Sequence, residues 1–304
     1  MVNIVHPKVL GRMGRRDLFR AGGFGLAAAA LGPALVSCSR TDGATTLDSL
    51  RQQGFIRAAI NNEPPFGYMD DSGQATGEAP ELLRAIFAEL GVEEIQAEAV
   101  AWDGLIEGLK ARRFDVVAAG MYITPDRCAE VAFSEPDYKV LQAFMVPKGN
   151  PMELATFDDV AANPDVTIAV LNASVEQEYA QGANVPTGQM ELPGDAAGAI
   201  DLLENGRVDA VALSTFSLNY QLEQRGTGDD FEVTEGFTPV VDGEEVTPAG
   251  GFAFRQGDTE LLEAFNQVLA DFKENGRLTE IGEPFGFDEE AHPGDLTTEQ
   301  LCSE

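Results

Sequence analysis

One stretch of this sequence occurs twice in outline. Arg113-Phe-Asp-Val-Val-Ala-Ala-Gly120 and Arg207-Val-Asp-Ala-Val-Ala-Leu-Ser214 share the pattern Arg-x-Asp-x-Val-Ala, and each runs on into small and apolar residues. Ahead of each lies an amphipathic segment with helical spacing, 103–112 and 196–203. A strand that is apolar along its whole length is buried on both faces, as strands of an α/β sheet are. The repeat therefore predicts two similar α/β lobes. Ligands of open α/β sheets sit beyond the carboxyl ends of the strands, so Gly120 and Ser214 are expected to face one shared cleft. Chance similarity between two buried strands stays open at this point.

The remaining periodicities agree with two winds. Residues 55–60, 97–101 and 115–120 read as strands in the first half, with a helix over 80–90 that has proline in its first turn and Gly91 as its stop. Strands over 166–171 and 209–213 and helices over 174–181, 196–203 and 216–224 follow. A long amphipathic helix over 259–274 ends at Gly276. Two extended apolar segments, about 139–147 and 250–255, flank the second half and are suited to crossing between lobes. The expected arrangement is lobe one from 44–142 plus 254–304, lobe two from 147–249, and those two segments as hinge strands.

Composition removes most chemistries. The chain has 304 residues, with 20 Lys+Arg against 51 Asp+Glu, for a formal net charge of -31. That field repels phosphate backbones, so no nucleic-acid partner is expected. Two histidines, His6 and His292, leave little for imidazole metal cages or for Ser-His-Asp and Cys-His nucleophile systems. There is no P-loop motif. No cofactor, no metal and no catalytic residue are expected, and the protein is expected to be a monomer.

Residues 1–37 read as an address. Lys8, Arg12, Arg15, Arg16 and Arg20 face one acid, Asp17, and lead into a short run rich in alanine and glycine, too short for a comfortable membrane span. Arg15-Arg16 in Gly14-Arg-Arg-Asp-Leu-Phe-Arg20 resembles the twin-arginine export motif, and Leu35-Val-Ser-Cys38 resembles a lipobox. Cys38 is then the lipidated residue, 38–45 a tether, and the protein is exported and held at the outer face of the cytoplasmic membrane. The other two cysteines, Cys128 and Cys302, lie in a compartment that permits disulfides and are expected to pair, with two free buried thiols as the alternative.

The most specific stretch is Ala119-Gly-Met-Tyr-Ile-Thr-Pro-Asp-Arg127, followed by Phe133-Ser-Glu-Pro-Asp-Tyr138. It resembles the extracytoplasmic solute-binding proteins of ABC importers, in the group that captures polar amino acids, over essentially the whole chain beyond the leader. The resemblance implies the type II periplasmic-binding-protein fold, two α/β lobes joined by two hinge strands, and permease subunits in the membrane as partners. It also implies that Arg127 grips a ligand carboxylate, which suits a guanidinium fork projecting from a helix capped by Thr124 and Pro125. Asn172-Ala173-Ser174 matches the small-residue turn of the second lobe, whose backbone amides reach the same carboxylate.

One departure is informative. Where amino-acid binders of the family commonly hold the ligand ammonium with an aspartate, this chain has Ser214. Glu63, Phe66, Trp102 and Tyr122 follow first-lobe strands instead. Three aromatic rings and one acid suit a diffuse cation, and Glu63-Pro-Pro-Phe66 is expected to be a stiff extended stretch. Asn62-Glu-Pro-Pro-Phe-Gly-Tyr68, Gly251-Phe-Ala-Phe-Arg255 and Pro284-Phe-Gly-Phe287 are similar to the branch of the family that binds the compatible solutes ectoine and hydroxyectoine. That resemblance implies a small zwitterionic solute, caged by Phe66, Trp102 and Tyr122, with Glu63 on its cation and Arg127 on its carboxylate. The alternatives are a receptor for arginine, glutamine or another zwitterion and, more remotely, a cleft dehydratase.

Overall fold

The computed structural model describes residue 43, residues 45–241 and residues 243–303. The leader and Cys38 lie outside the described residues. Two mixed sheets, each with helices on both faces, form the two lobes expected of the type II periplasmic-binding-protein fold.

The first sheet has the order Glu94–Ala99, Phe55–Ile60, Val116–Tyr122, Ala249–Phe254, Ala132–Phe133, with Tyr138–Lys139 also paired to Ala249–Phe254. The second has the order Met190–Glu191, Ile168–Ala169, Ala210–Ser214, Gln142–Pro147, Phe231–Val233. The plans match. In each, three parallel strands end on the repeated segment, and an antiparallel strand from the other half of the chain lies beside it. The segments read from sequence as crossings, about 139–147 and 250–255, thus supply strands of the second and first sheets, Gln142–Pro147 and Ala249–Phe254. The chain changes sheet between Lys139 and Gln142, and again ahead of Ala249.

The aspartate of the repeat has one job in both lobes. Asp115 accepts from the Arg57 amide at 3.3 Å, and Asp209 accepts from the Thr167 amide at 2.8 Å. Each carboxylate pins the start of the neighbouring parallel strand where the ladder has no partner for that N–H. Asp115 is buried and is further held by the Arg57 and Arg255 guanidinium groups.

Helices cover both faces. Glu78–Glu89 and Thr259–Asn275 pack Leu82, Ile86, Phe87, Leu261, Phe265 and Leu269 on one face of the first sheet, and Leu105, Leu109 and Leu301 lie on the other. The buried residues of Thr259–Asn275 recur at spacings of four, four and three, a single helical stripe, and Gly276 ends it in the left-handed conformation. Each such side chain contributes roughly 1.5–3 kcal/mol relative to exposure. The second sheet is covered by Ile200, Leu203 and Leu218 on one face and by Phe157, Val160, Val175 and Tyr179 on the other. Among the described residues no helix is long and apolar enough to cross a membrane.

Glu78 and Asp137 face each other in the first lobe, both buried. Burial pushes Asp137 up to about 7, and burial together with the Asp137 charge pushes Glu78 well above the ordinary carboxylate range. A carboxyl that holds its proton more tightly folded than unfolded stabilises the fold at low pH. That stability is lost as pH rises from about 4 through about 7. Glu78→Gln is therefore expected to raise the melting temperature at pH 8 by a few degrees and to give no gain at pH 4, as thermal melts at the two pH values will read.

Candidate functional site

A small pocket opens where the carboxyl-terminal parts of the two repeated strands meet. Gly120 and Ser214 both line it, together with Glu63, Phe66, Trp102, Tyr122 and Ser174. Leu171, Val175, Glu176 and Leu213 complete the wall. Seven of the eight residues expected from sequence are thus brought together. The eighth, Arg127, lies against the Trp102 ring of that wall.

Phe66 is placed by a turn. Glu63 and Gly67 exchange two backbone hydrogen bonds, 2.9 and 3.1 Å, around a cis Pro64–Pro65 bond. The segment is therefore closed back on itself and is not the extended stretch expected from its two prolines, because the Glu63 and Gly67 backbones pair. Carbonyl groups of Pro65 and Phe66 accept from the Glu78 and Ala79 amides, so the turn caps the helix Glu78–Glu89 in place of a side chain. The Phe66 ring rests on Tyr138 and Phe287, at centroid distances of 5.1 and 5.2 Å, and crosses directly over Gly120. A Cβ at Gly120 would lie 2.3 Å from Phe66 Cδ1, and φ is +59° there, so only glycine fits. Tyr138 locks the same spot by donating its hydroxyl to the Gly120 carbonyl at 2.7 Å.

Arg127 follows Thr124 and Pro125 in the helix Pro125–Glu130, and its amide bonds Thr124 Oγ1. The side chain is 6% exposed. Nη1 donates to the Tyr122 carbonyl at 3.1 Å, the guanidinium carbon lies 5.3 Å from the Trp102 ring centroid, and Nη2 is buried without a hydrogen-bond partner. Among the described residues no carboxylate forms an ion pair with Arg127. A buried cationic donor left open costs about 1–3 kcal/mol or more, which an arriving anion would recover. Directly behind Arg127, Cys128 is joined to Cys302, with 5.8 Å between their Cα atoms.

The second lobe supplies more than the sequence indicated. Ser214 and Ser174 are both N-caps, of the helices Thr215–Arg225 and Val175–Gly182, with their hydroxyls on the Ser217 and Gln177 amides. The Ser174 amide, expected to be free for a carboxylate, is spent on the Leu171 carbonyl. Ser174 still lines the pocket, beside Val175 and Glu176 of that helix's first turn.

Side-chain hydrogen bonds join the lobes across the cleft, that between Tyr122 and Gln142 among them. Ser217 Oγ donates to Glu63 Oε1 at 2.6 Å, Trp102 Nε1 to the Ala173 carbonyl at 3.0 Å, and Asn172 Nδ2 to Asp103 Oδ2 at 3.2 Å. Asn61 Nδ2 holds the other Glu63 oxygen at 2.8 Å. Burial raises the Glu63 carboxyl, and the bonds from Ser217 and Asn61 oppose that.

Glu63 is not the only acid in the pocket, as the sequence suggested. Glu176 is 6% exposed and stands in the same wall. Burial holds its carboxyl up at about 7, the Glu63 charge pushes the same way, and Arg127 pulls against both. Gln142, oriented to satisfy all its neighbours, donates to Glu176 Oε1 at 3.0 Å and accepts from the Tyr122 hydroxyl at 3.0 Å. Glu176, Ser217 and Gln142 are the residues that sequence reasoning missed. An acid in the first turn of a capped helix reads as a complement to the helix dipole, and only the lobe-to-lobe geometry turns it inward. No cluster of His, Cys, Asp and Glu suited to a metal ion occurs among the described residues.

The profile of the bacterial extracellular solute-binding proteins, family 3, matches residues 56–288. The chain belongs to this family. It is a solute-binding protein of an ABC importer for amino acids or similar solutes, and it works outside the cytoplasm. A relative from Sinorhizobium fredii, named a probable amino-acid ABC transporter periplasmic-binding protein, is 33% identical over 288 residues, 93% of this chain and 94% of that one. The crystal structure of EhuB in complex with hydroxyectoine is 36% identical, with a TM-score of 0.76 over 84% of this chain and 97% of that one. An ancestral amino-acid-binding protein, a precursor of cyclohexadienyl dehydratase, is 29% identical, with a TM-score of 0.69 over 79% and 99%.

Proposed function

We propose that this solute-binding protein captures ectoine or hydroxyectoine and delivers it to the permease subunits of an ABC importer. The observation that carries the reading is the buried, unpartnered Nη2 of Arg127 beside a small pocket walled by Phe66, Trp102, Tyr122 and Glu63. A carboxylate completes the guanidinium fork, and the rings and Glu63 take a delocalised cation. Both Glu63 oxygens already accept one bond, and a carboxylate has lone pairs left for a ligand N–H. Ser214 offers no charge to an α-ammonium, which sets the pocket apart from a general amino-acid site. The hydroxyectoine complex of EhuB supports the same solute class.

On this reading the lobes close by bending at about 140–141 and 246–248, where the chain changes sheet, and the cross-cleft bonds form on closure. On the same reading the site releases its solute unchanged, in keeping with the solute-binding family to which the chain belongs. Export by the twin-arginine-like leader and lipid attachment at Cys38 belong to the same proposal.

The test is calorimetric titration of ectoine and hydroxyectoine into the chain from Ser39 onward, with glutamine and arginine alongside. One-to-one binding of the compatible solutes alone is the expected result. Binding of an amino acid with silence from both compatible solutes would overturn the ligand class and restore the amino-acid alternative. Trp102→Ala is expected to weaken ectoine by about 1–3 kcal/mol through lost ring contact. Trp102→Phe keeps a ring and loses only the bond to Ala173, so titration should place it between the two.

A further inference from the structure

Two carboxyl groups, Glu63 and Glu176, line the pocket, and one cation, Arg127, stands against its Trp102 wall. Arg127 and Glu63 are matched by the two ends of a zwitterion, which leaves Glu176 over. It cannot turn away, because it is buried and Gln142 fixes one oxygen. The groups that face it are Glu63 from the turn opposite, Tyr122 from the strand Val116–Tyr122, and Arg127 from the helix Pro125–Glu130. Tyr122 and Gln142 are neutral, Glu63 repels it, and among the described residues no cation lies within ion-pair distance of it. A buried carboxylate with no ion-pair partner is costly, and a proton removes the cost.

We infer that Glu176 sets the charge class of ligand that the cleft accepts, keeping its proton against a zwitterion and releasing it to a ligand with one further cation. This deepens the ectoine reading and rests on it. The protonated carboxyl offers an O–H to a neutral polar group of the ligand, and the ionised form offers a charge to an additional ammonium or guanidinium. One side chain thereby lets the same pocket stay electrically balanced with either class. The state of Glu176 shows in the pH dependence of binding. Burial in the closed cleft holds the carboxyl up at about 7, and a zwitterion binds the protonated form, so closing on ectoine above that pH takes up a proton.

The experiment measures the ectoine dissociation constant at pH 6 and pH 8.5 for the wild type and Glu176→Gln, with proton uptake read from two buffers of different ionisation enthalpy. Expected for the wild type is a roughly tenfold or greater loss of affinity at the higher pH, with net proton uptake on binding. Expected for Glu176→Gln is a change of less than about twofold, since the amide is neutral throughout. A wild-type affinity that is flat with pH overturns the inference while leaving ectoine as the ligand, as does a variant that keeps the wild-type slope.

Silence from ectoine at both pH values sinks the ligand reading alone. Arginine then takes its place in the same titrations. Affinity for arginine that rises with pH in the wild type and is flat in the variant sustains the role of Glu176, and a flat wild-type profile ends it.

Discussion

Arg127→Ala is expected to reduce ectoine affinity by 100-fold or more, to the point where calorimetry at ordinary protein concentrations registers little heat. Truncating one partner of a buried, hydrogen-bonded charge pair costs roughly 2–5 kcal/mol, much of it from the other charge left unpaired. Here that other charge is the ligand carboxylate. The unliganded protein should behave differently. Arg127 gives one bond to Tyr122, rests on Trp102, and buries Nη2 without a partner, so removing it forfeits little and relieves an orphaned donor. The melting temperature without ligand should shift by only a few degrees, while the upward shift that ectoine gives the wild type should vanish. Arg127→Lys keeps the charge and loses the fork, and is expected to fall between the two. Affinity within about threefold of the wild type for the alanine variant would show that the carboxylate is held elsewhere.

What the sequence disclosed follows the physics of each feature. The two repeated strands were legible from their both-face apolar runs, and Gly120 and Ser214 do stand in one pocket, although the first strand runs on past Gly120 to Tyr122. The helix of Arg127 was legible from Thr124 and Pro125, which are local signals. The turn at Glu63 was not. Two prolines fix φ but say nothing about the pairing of Glu63 with Gly67, which depends on the helix that receives the turn's carbonyls.

Glu176 was hidden for a related reason. Its neighbours within a few residues give it an ordinary place in a capped helix, and its burial comes from Glu63, Tyr122 and Gln142, at least 34 positions away in sequence in each case. The segments 139–147 and 250–255 read as crossings because they join halves of the chain. Hydrogen-bond pairing, invisible in a single strand, assigns each to a sheet.

The second large effect concerns the tail. Removing the Cys128–Cys302 link, by Cys128→Ser with Cys302→Ser, is expected to lower the melting temperature by roughly 5–15 °C in calorimetric scans. The link spans 174 positions, and in the chain-entropy account closing so long a loop restricts the unfolded chain by up to about 5 kcal/mol. The native tail keeps some attachment without it. Thr298 donates its amide to Glu135 and its hydroxyl to the Ser134 carbonyl, and Leu301 is buried against Leu105 and Leu109.

Cys128 also follows Arg127 in a helix of only six residues, which has little packing of its own to fix the guanidinium. Loss of the link should therefore weaken ectoine binding as well, by less than the loss of Arg127 itself. Reduction of the wild type should reproduce both effects, and reoxidation should restore them. Melting and binding together separate the roles: a lower melting temperature with unchanged affinity below the transition would make the link a clip on the unfolded chain alone. Unchanged melting would mean that the tail's own contacts suffice to hold it.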